Sequence, residues 1–329
     1  MAYPAQRPRR LRQNDKFRKL VRETSISVDD LVWPLFAVPG HGVRQEISSL
    51  PDNYHLSIDC LVEEAKRAAD LGISAILLFG VPDATDKDER ATKAYCPEGL
   101  VQRAVRALKS AVPELLVITD VCLCEYTPHA HCGILENGYL VNDLSLELLA
   151  KTAVSHAEAG SDMVAPAAML DGQIRTLRQA LDEHRFVNLP IMAYSAKYAS
   201  KLYDPFFKEG TQSTLHKGNK KTHQMPIPNS DEAMREIALD IEEGADIVMV
   251  KPGLFYLDVV YRAKQQFHMP LAVYNVSGEY AMIDAGARLG RLDRNAILYE
   301  TLACFKRAGA DIVISYYAPL AAQCLSRAS

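Results

Sequence analysis

Two lysines and three cysteines stand where chemistry would need them. Lys251 closes the apolar run Ile247-Val248-Met249-Val250 and precedes Pro252-Gly253. An amine at the mouth of a buried strand loses hydration, which disfavours its charged form. A neutral amine is a nucleophile that forms imines with ketones and aldehydes. Lys197 ends a second such run, Ile191-Met192-Ala193-Tyr194-Ser195-Ala196. A lone lysine there would read equally well as a strand cap that snorkels to water. Two lysines converging on one mouth disfavour each other's charge. The pair predicts an enzyme that activates carbonyl groups twice, or one that uses the second amine as a base.

The cysteines follow Thr119-Asp120-Val121 as Cys122-Leu123-Cys124, with Cys132 closing His129-Ala130-His131-Cys132, a C-x-C-x7-C pattern on one loop. Three thiolates at that spacing can converge on a soft tetrahedral ion, zinc first among them. Three protein ligands leave a position for water or substrate, and His131 is either a fourth ligand or a supporting group. Cys60, Cys96, Cys304 and Cys324 lack such spacing and read as small packing residues.

Groups that could hold an acid lie further along. Between Ala199 and Gln224 fall Lys201, Lys208, His216, Lys217, Lys220, Lys221 and His223, with Gly210 and Gly218 for flexibility. A basic loop of this length suits closure over a carboxylate. Ser277 and Tyr316 stand at the ends of two later apolar runs and can donate hydrogen bonds to the same kind of group.

Eight short apolar runs must position these residues: Leu31–Val38, Ala75–Phe79, Leu116–Val121, Met163–Ala165, Pro190–Tyr194, Ile247–Val250, Leu271–Val276 and Ile312–Tyr317. Most are apolar throughout, as expected of parallel strands covered on both faces. Helical patterns lie between them, among them Leu61–Leu71, Leu146–Ala159, Asp231–Glu243 and Ala296–Ala308. One junction repeats: Gly160-Ser161-Asp162, Gly244-Ala245-Asp246 and Gly309-Ala310-Asp311 each follow a helix and lead into a strand. Glycine suits the left-handed position that ends a helix. Eight strands in helix–Gly–strand units predict an α/β protein of the (β/α)8 TIM-barrel type, with chemistry at the C-terminal strand ends. The alternative, a doubly wound open sheet, lacks a GxGxxG after the first strand.

The chain has 329 residues, with 37 Lys and Arg against 41 Asp and Glu, a net charge of −4. That balance disfavours nucleic acid and anionic membranes as partners. No apolar stretch approaches the ~20 residues of a membrane helix. The N-terminus carries no apolar core of a secretory signal, so a cytoplasmic protein is expected. Seven cysteines in a reducing compartment read as thiols or metal ligands. Residues 1–22 carry eight basic residues against Asp15, and the chain divides into an arm, 1–25, and a barrel, 26–329. The arm is expected to pack on a neighbouring subunit.

Together these segments resemble the porphobilinogen synthase (5-aminolevulinate dehydratase) family over nearly the whole chain. The likeness rests on Arg7-Pro8-Arg9-Arg10-Leu11-Arg12, Asp30-Leu31-Val32-Trp33-Pro34-Leu35-Phe36, the cysteine loop, Ala165-Pro166 with Asp171-Gly172, Tyr194-Ser195-Ala196-Lys197, Met249-Val250-Lys251-Pro252-Gly253 and Val276-Ser277-Gly278-Glu279-Tyr280-Ala281-Met282. The resemblance implies condensation of two 5-aminolevulinate molecules to porphobilinogen, with loss of two waters, in tetrapyrrole (heme) biosynthesis. It gives Lys251 the imine with the substrate called P-side and Lys197 that with the A-side one. Cys122, Cys124 and Cys132 match the zinc-type members. Ser277 and Tyr316 match the groups holding the P-side carboxylate, and Lys208, Lys220 and Gln224 are the expected lid residues for substrate. Asp120 matches a carboxylate near the metal loop, a proton shuttle or a supporting group. Glu236 falls where many bacterial members place an allosteric magnesium ligand. The arm matches the segment that embraces a neighbour in the family's homo-octamer.

The lid departs from the pattern. Where the family usually has Gly-Pro-Phe-Arg, this chain has Asp204-Pro205-Phe206-Phe207-Lys208, so Phe207 takes the arginine position. Lys220 replaces a second frequent arginine, and Ala167 a frequent serine. Lysine offers a point charge where arginine offers a two-pronged fork. Lys208 is expected to compensate by reaching back to the A-side carboxylate.

Overall fold

The computed structural model describes residues 3–215 and 218–326. Eight parallel strands form its centre: β1 (Leu31–Ala37), β2 (Ala75–Gly80), β3 (Leu116–Val121), β4 (Met163–Pro166), β5 (Met192–Lys197), β6 (Ile247–Lys251), β7 (Leu271–Asn275) and β8 (Ile312–Ser315). They pair in the order β4-β3-β2-β1-β8-β7-β6-β5, and a parallel bridge from Val164 to Ile191 joins β4 to β5. The sheet therefore closes into a barrel, which disposes of the open-sheet alternative.

Helices cover the outside: α1 (Ile58–Asp70), α2 (Leu100–Ala111), α3 (Asn142–Ala159), α4 (Gln173–Glu183), α5 (Asp231–Glu243), α6 (Leu257–Phe267), α7 (Ser277–Arg288), α8 (Arg294–Ala308) and α9 (Ala318–Ser326). Sequence dictates their faces. α1 buries Leu61, Ala65 and Ala68, one stripe at helical spacing. α8 begins where Asp293 accepts the Ala296 N–H at 2.9 Å. β1 and β2 are buried at every position because helices and barrel interior cover their two faces.

The repeated Gly-x-Asp junction has two parts. Gly160, Gly244 and Gly309 take positive φ values of 99, 108 and 113°, ending α3, α5 and α8. The aspartate two residues later reaches across to the preceding strand. Asp162 accepts the Val117 N–H, Asp246 the Ile191 N–H and Asp311 the Leu271 N–H, each at 2.8 Å. Lys109 and Lys264 pair with two of these carboxylates at 2.8 and 2.7 Å. The clamps sit at the N-terminal ends of the strands, the stability face of such barrels.

Several strand ends differ from expectation, and β6 runs on to include Lys251. β5 runs on to Lys197, so the lysine belongs to the strand itself. β8 stops at Ser315, whose Oγ accepts the Tyr317 N–H at 3.1 Å and turns the chain. In the arm, a turn at Pro8–Arg12 and a short helix at Asp15–Leu20 bury nothing, and Leu11, Phe17, Leu20 and Val21 are exposed. No helix among the described residues is long and apolar enough to cross a membrane.

Candidate active site

β5 and β6 bring the two lysines together. Lys197 pairs with Lys251 in register, and both are buried. A bulge makes this possible. Ala193 pairs with Val248 and Ala196 with Val250, so Tyr194 and Ser195 face Met249 alone. Side chains alternate along a strand, so residues three apart would normally face opposite ways. The extra residue lets Tyr194 and Lys197 both turn inward.

Aromatic rings enclose the Lys251 amine. Its Nζ lies 4.3 Å from the ring centre of Tyr274, 4.8 Å from Tyr194, 5.2 Å from Phe206 and 5.3 Å from Tyr203. Burial, with the charge of Lys197, brings this amine down to about 7 against the pull of Asp120. Lys197 donates to the Ala167 carbonyl and lies 5.5 Å from the Tyr194 ring. Sequence reasoning missed this cage: Tyr194, Tyr203, Phe206 and Tyr274 sit in apolar runs or the lid and look like ordinary core.

The cysteines meet on the β3 side. Cys122, Cys124 and Cys132 are buried, with their sulfurs within 4.8 Å of one another. Cys122 and Cys124 approach to 3.3 Å, and Lys220 Nζ lies 3.5 Å from Cys132. The thiols of Cys122 and Cys124, followed by the Lys220 charge, hold the Cys132 thiol well below its ordinary range. A thiolate flanked by two thiols can exchange their protons for a soft cation, so the trio can hold a metal ion. Beside it, Asp120 keeps one enclosed oxygen, Oδ1, without a hydrogen-bond partner. Burial and the Glu125 charge push its carboxyl up to about 7, although both lysines oppose this. A narrow cavity joins the two halves, lined by Asp120, Cys122, Cys124, Lys197, Lys251 and the lid's Phe207.

Acid-binding candidates distribute less simply. Ser277 Oγ accepts the Phe206 N–H and donates to the Leu202 carbonyl, both at 3.1 Å, so it holds lid backbone. Gly278 allows this approach, since a Cβ there would come within 2.6 Å of that carbonyl oxygen. The Tyr316 hydroxyl accepts from Tyr274 at 3.2 Å. Lys220 is buried in the lid with its amine 4.1 Å from the Phe207 ring centre. Gln224 is buried, with Nε2 unpartnered, and lines an outer cavity of about 560 Å³ with Lys201, Lys208, Lys220 and Lys221.

Lys208 does not reach back as expected. Its side chain is 61% exposed and pairs with Asp204 at 3.6 Å, because the helical turn places the two four residues apart. His216 and Lys217 lie outside the described residues. Glu236 stands apart on α5, in a separate cavity with Asp171 and Glu232. Burial, then the charges of Asp171 and Glu232, raise its carboxyl. Among the described residues only the cysteines draw together at ligand spacing.

Fold and site define a barrel enzyme with its amines and soft-metal ligands gathered at the strand ends. The family model described as delta-aminolevulinic acid dehydratase matches residues 5–324. The delta-aminolevulinic acid dehydratase of Synechococcus elongatus is 54% identical over 328 residues, covering 98% of this chain and 100% of that one. That of Bacillus subtilis is 45% identical, covering 99% and 100%. The crystal structure of delta-aminolevulinic acid dehydratase (porphobilinogen synthase) from Toxoplasma gondii, in complex with the reaction product porphobilinogen, superposes with a TM-score of 0.95. It is 42% identical and covers 97% of this chain and 91% of that one. The chain belongs to the delta-aminolevulinic acid dehydratase family, a family of hydro-lyases.

Proposed function

We propose that this hydro-lyase condenses two molecules of 5-aminolevulinate to one porphobilinogen and two waters, with Lys251 and Lys197 as imine-forming amines. The in-register lysine pair, one amine caged by aromatic rings and near neutrality, carries the reading. Lys251 Nζ adds to the ketone carbon of the P-side molecule, and that carbonyl oxygen leaves as water. Lys197 does the same with the A-side molecule. An imine acidifies the neighbouring C–H bond, so one substrate becomes a carbon nucleophile and the other an electrophile. Both amines are freed when the pyrrole closes, so the two carbonyl oxygens account for the two waters.

Tyr316 holds the P-side carboxylate together with Ser277, whose hydroxyl turns from the Leu202 carbonyl to the substrate, and Lys220 with Gln224 holds the A-side one. Lys208 serves the rim of the outer cavity. Asp120, between the lysines and the thiols, takes up and returns a proton at Oδ1. Cys122, Cys124 and Cys132 would hold zinc, which when bound supplies a Lewis acid and a site for water. Glu236, beside Asp171 and Glu232, is a candidate allosteric magnesium ligand. The arm, residues 1–25, carries exposed Leu11, Phe17 and Leu20, which suits packing on the barrel of a neighbour in a cytoplasmic homo-octamer.

Pyrrole formation from 5-aminolevulinate, measured colorimetrically on metal-stripped protein with and without added zinc, tests this. Product restored by zinc supports both reaction and metal. Product without zinc dependence keeps the reaction and removes zinc's part, while no pyrrole from folded, zinc-loaded protein would sink the reading.

A further inference from the structure

Glu279 is fully buried in α7, does not line the lysine cavity, and binds three donors from two separate segments. Oε1 accepts the Leu254 N–H at 2.8 Å; Oε2 accepts Asn275 Nδ2 at 2.9 Å and the Val276 N–H at 3.1 Å. Asn275 passes the contact on, since its Oδ1 accepts from Ser315 Oγ at 2.9 Å, and Ser315 in turn accepts the Tyr317 N–H at 3.1 Å. Asn275 and Ser315 are fully buried as well.

Each end of this chain lies next to a P-side group. Leu254 is in the turn that follows Lys251. Val276 precedes Ser277. Ser315 and Tyr317 flank Tyr316. One carboxylate thus ties together the ends of β6, β7 and β8 and the start of α7. Nothing in the network reaches β5 or the lid's Lys220 and Gln224. Three donors on one buried carboxyl group fix its direction, and a displacement of about 1 Å at reacting groups costs on the order of 100-fold in rate.

We propose that Glu279 is the positioning residue of the P-side subsite: through Leu254, Val276 and the Asn275–Ser315 relay it sets Lys251, Ser277 and Tyr316 relative to one another. It touches no reacting atom and acts through those three. This rests on the assignment of Lys251, Ser277 and Tyr316 to the P-side substrate. A glutamine of the same size would turn an NH2 group toward an N–H donor, so shape is kept while acceptance is lost.

The test is borohydride trapping of the full-length, zinc-loaded protein with levulinate, a 4-keto acid without the amino group, followed by peptide mapping of the Lys251 adduct. Glu279→Gln should slow Lys251 labelling about tenfold or more. Asp311→Asn is the control, because it disturbs a comparable carboxylate-to-backbone contact at the opposite end of β7. Its labelling should stay within about twofold of the parent protein, as expected at the stability face. Ser315→Ala removes one oxygen from the relay's far end. It should raise the levulinate concentration for half-maximal labelling about fivefold and leave the maximal rate unchanged, since it loosens Tyr316 and not the amine.

Equal slowing in Glu279→Gln and the Asp311→Asn control, or no slowing in Glu279→Gln, overturns the proposal. Should Glu279→Gln fail to fold, an unchanged half-saturation in Ser315→Ala overturns it alone. A parent protein that labels no Lys251 would instead bring down the P-side assignment, and the proposal with it.

Discussion

Lys197 and Lys251 pair residue for residue across β5 and β6, and they do so because β5 carries one extra residue. Unbroken alternation would leave Tyr194 inside and turn Lys197 out among the helices. The bulge puts both amines in one enclosure, where the Lys197 charge bears on the Lys251 amine.

Replacing Lys251 by alanine should lower porphobilinogen formation by ~10⁴-fold or more, as expected for a covalent group. Steady-state pyrrole assay checks the loss, and melting temperature checks the fold.

With its amine at about 7, Lys251 is mostly protonated at pH 6 and mostly nucleophilic at pH 8. The rate of levulinate trapping should therefore rise with pH through a midpoint near 7. Lys197→Met removes a neighbouring positive charge, so the midpoint should move upward. It should stay below the ordinary lysine range because burial is the larger cause. A midpoint that stays put would show that the two amines do not interact.

Cys132→Ser should weaken zinc binding by at least ~100-fold and leave the barrel folded. Competition with a chromophoric chelator measures the affinity, with circular dichroism as the fold check.

The lid lysines should differ sharply. Lys220 is buried against Phe207 and Cys132, and Lys220→Ala should raise KM for 5-aminolevulinate about tenfold or more, the cost of a lost charge-assisted contact. Lys208 pairs with Asp204 at the surface, where such pairs contribute about 0–1 kcal/mol. Lys208→Ala should change KM less than about threefold.

Asp162→Ala should cost about 1–3 kcal/mol of stability, since the Val117 N–H loses its carboxylate partner. Activity of the folded fraction should be unchanged. Urea unfolding and specific activity separate the two.

Much of this protein was legible in its sequence. Apolar runs fixed eight strands, because a strand covered on both faces tolerates little else. Gly160, Gly244 and Gly309 marked the helix ends, because left-handed backbone disfavours a Cβ. Lys197 and Lys251 stood out because charge at the end of an apolar strand is costly without a purpose, and the cysteines because three in eleven residues is a ligand spacing. Side-chain direction and long-range partners were not legible. The bulge in β5 depends on pairing with β6, and local sequence does not encode register. Lys208 and Lys220 look alike as residue types, yet the lid's fold exposes one and buries the other. The aspartates of the Gly-x-Asp repeat and Glu279 reveal their work only through backbone N–H groups that folding brings to them. Sequence determined which residues could do chemistry, because residue type and hydrophobic period are local properties. Tertiary structure decided which of them meet, because pairing register, burial and loop packing arise only when distant segments close on one another.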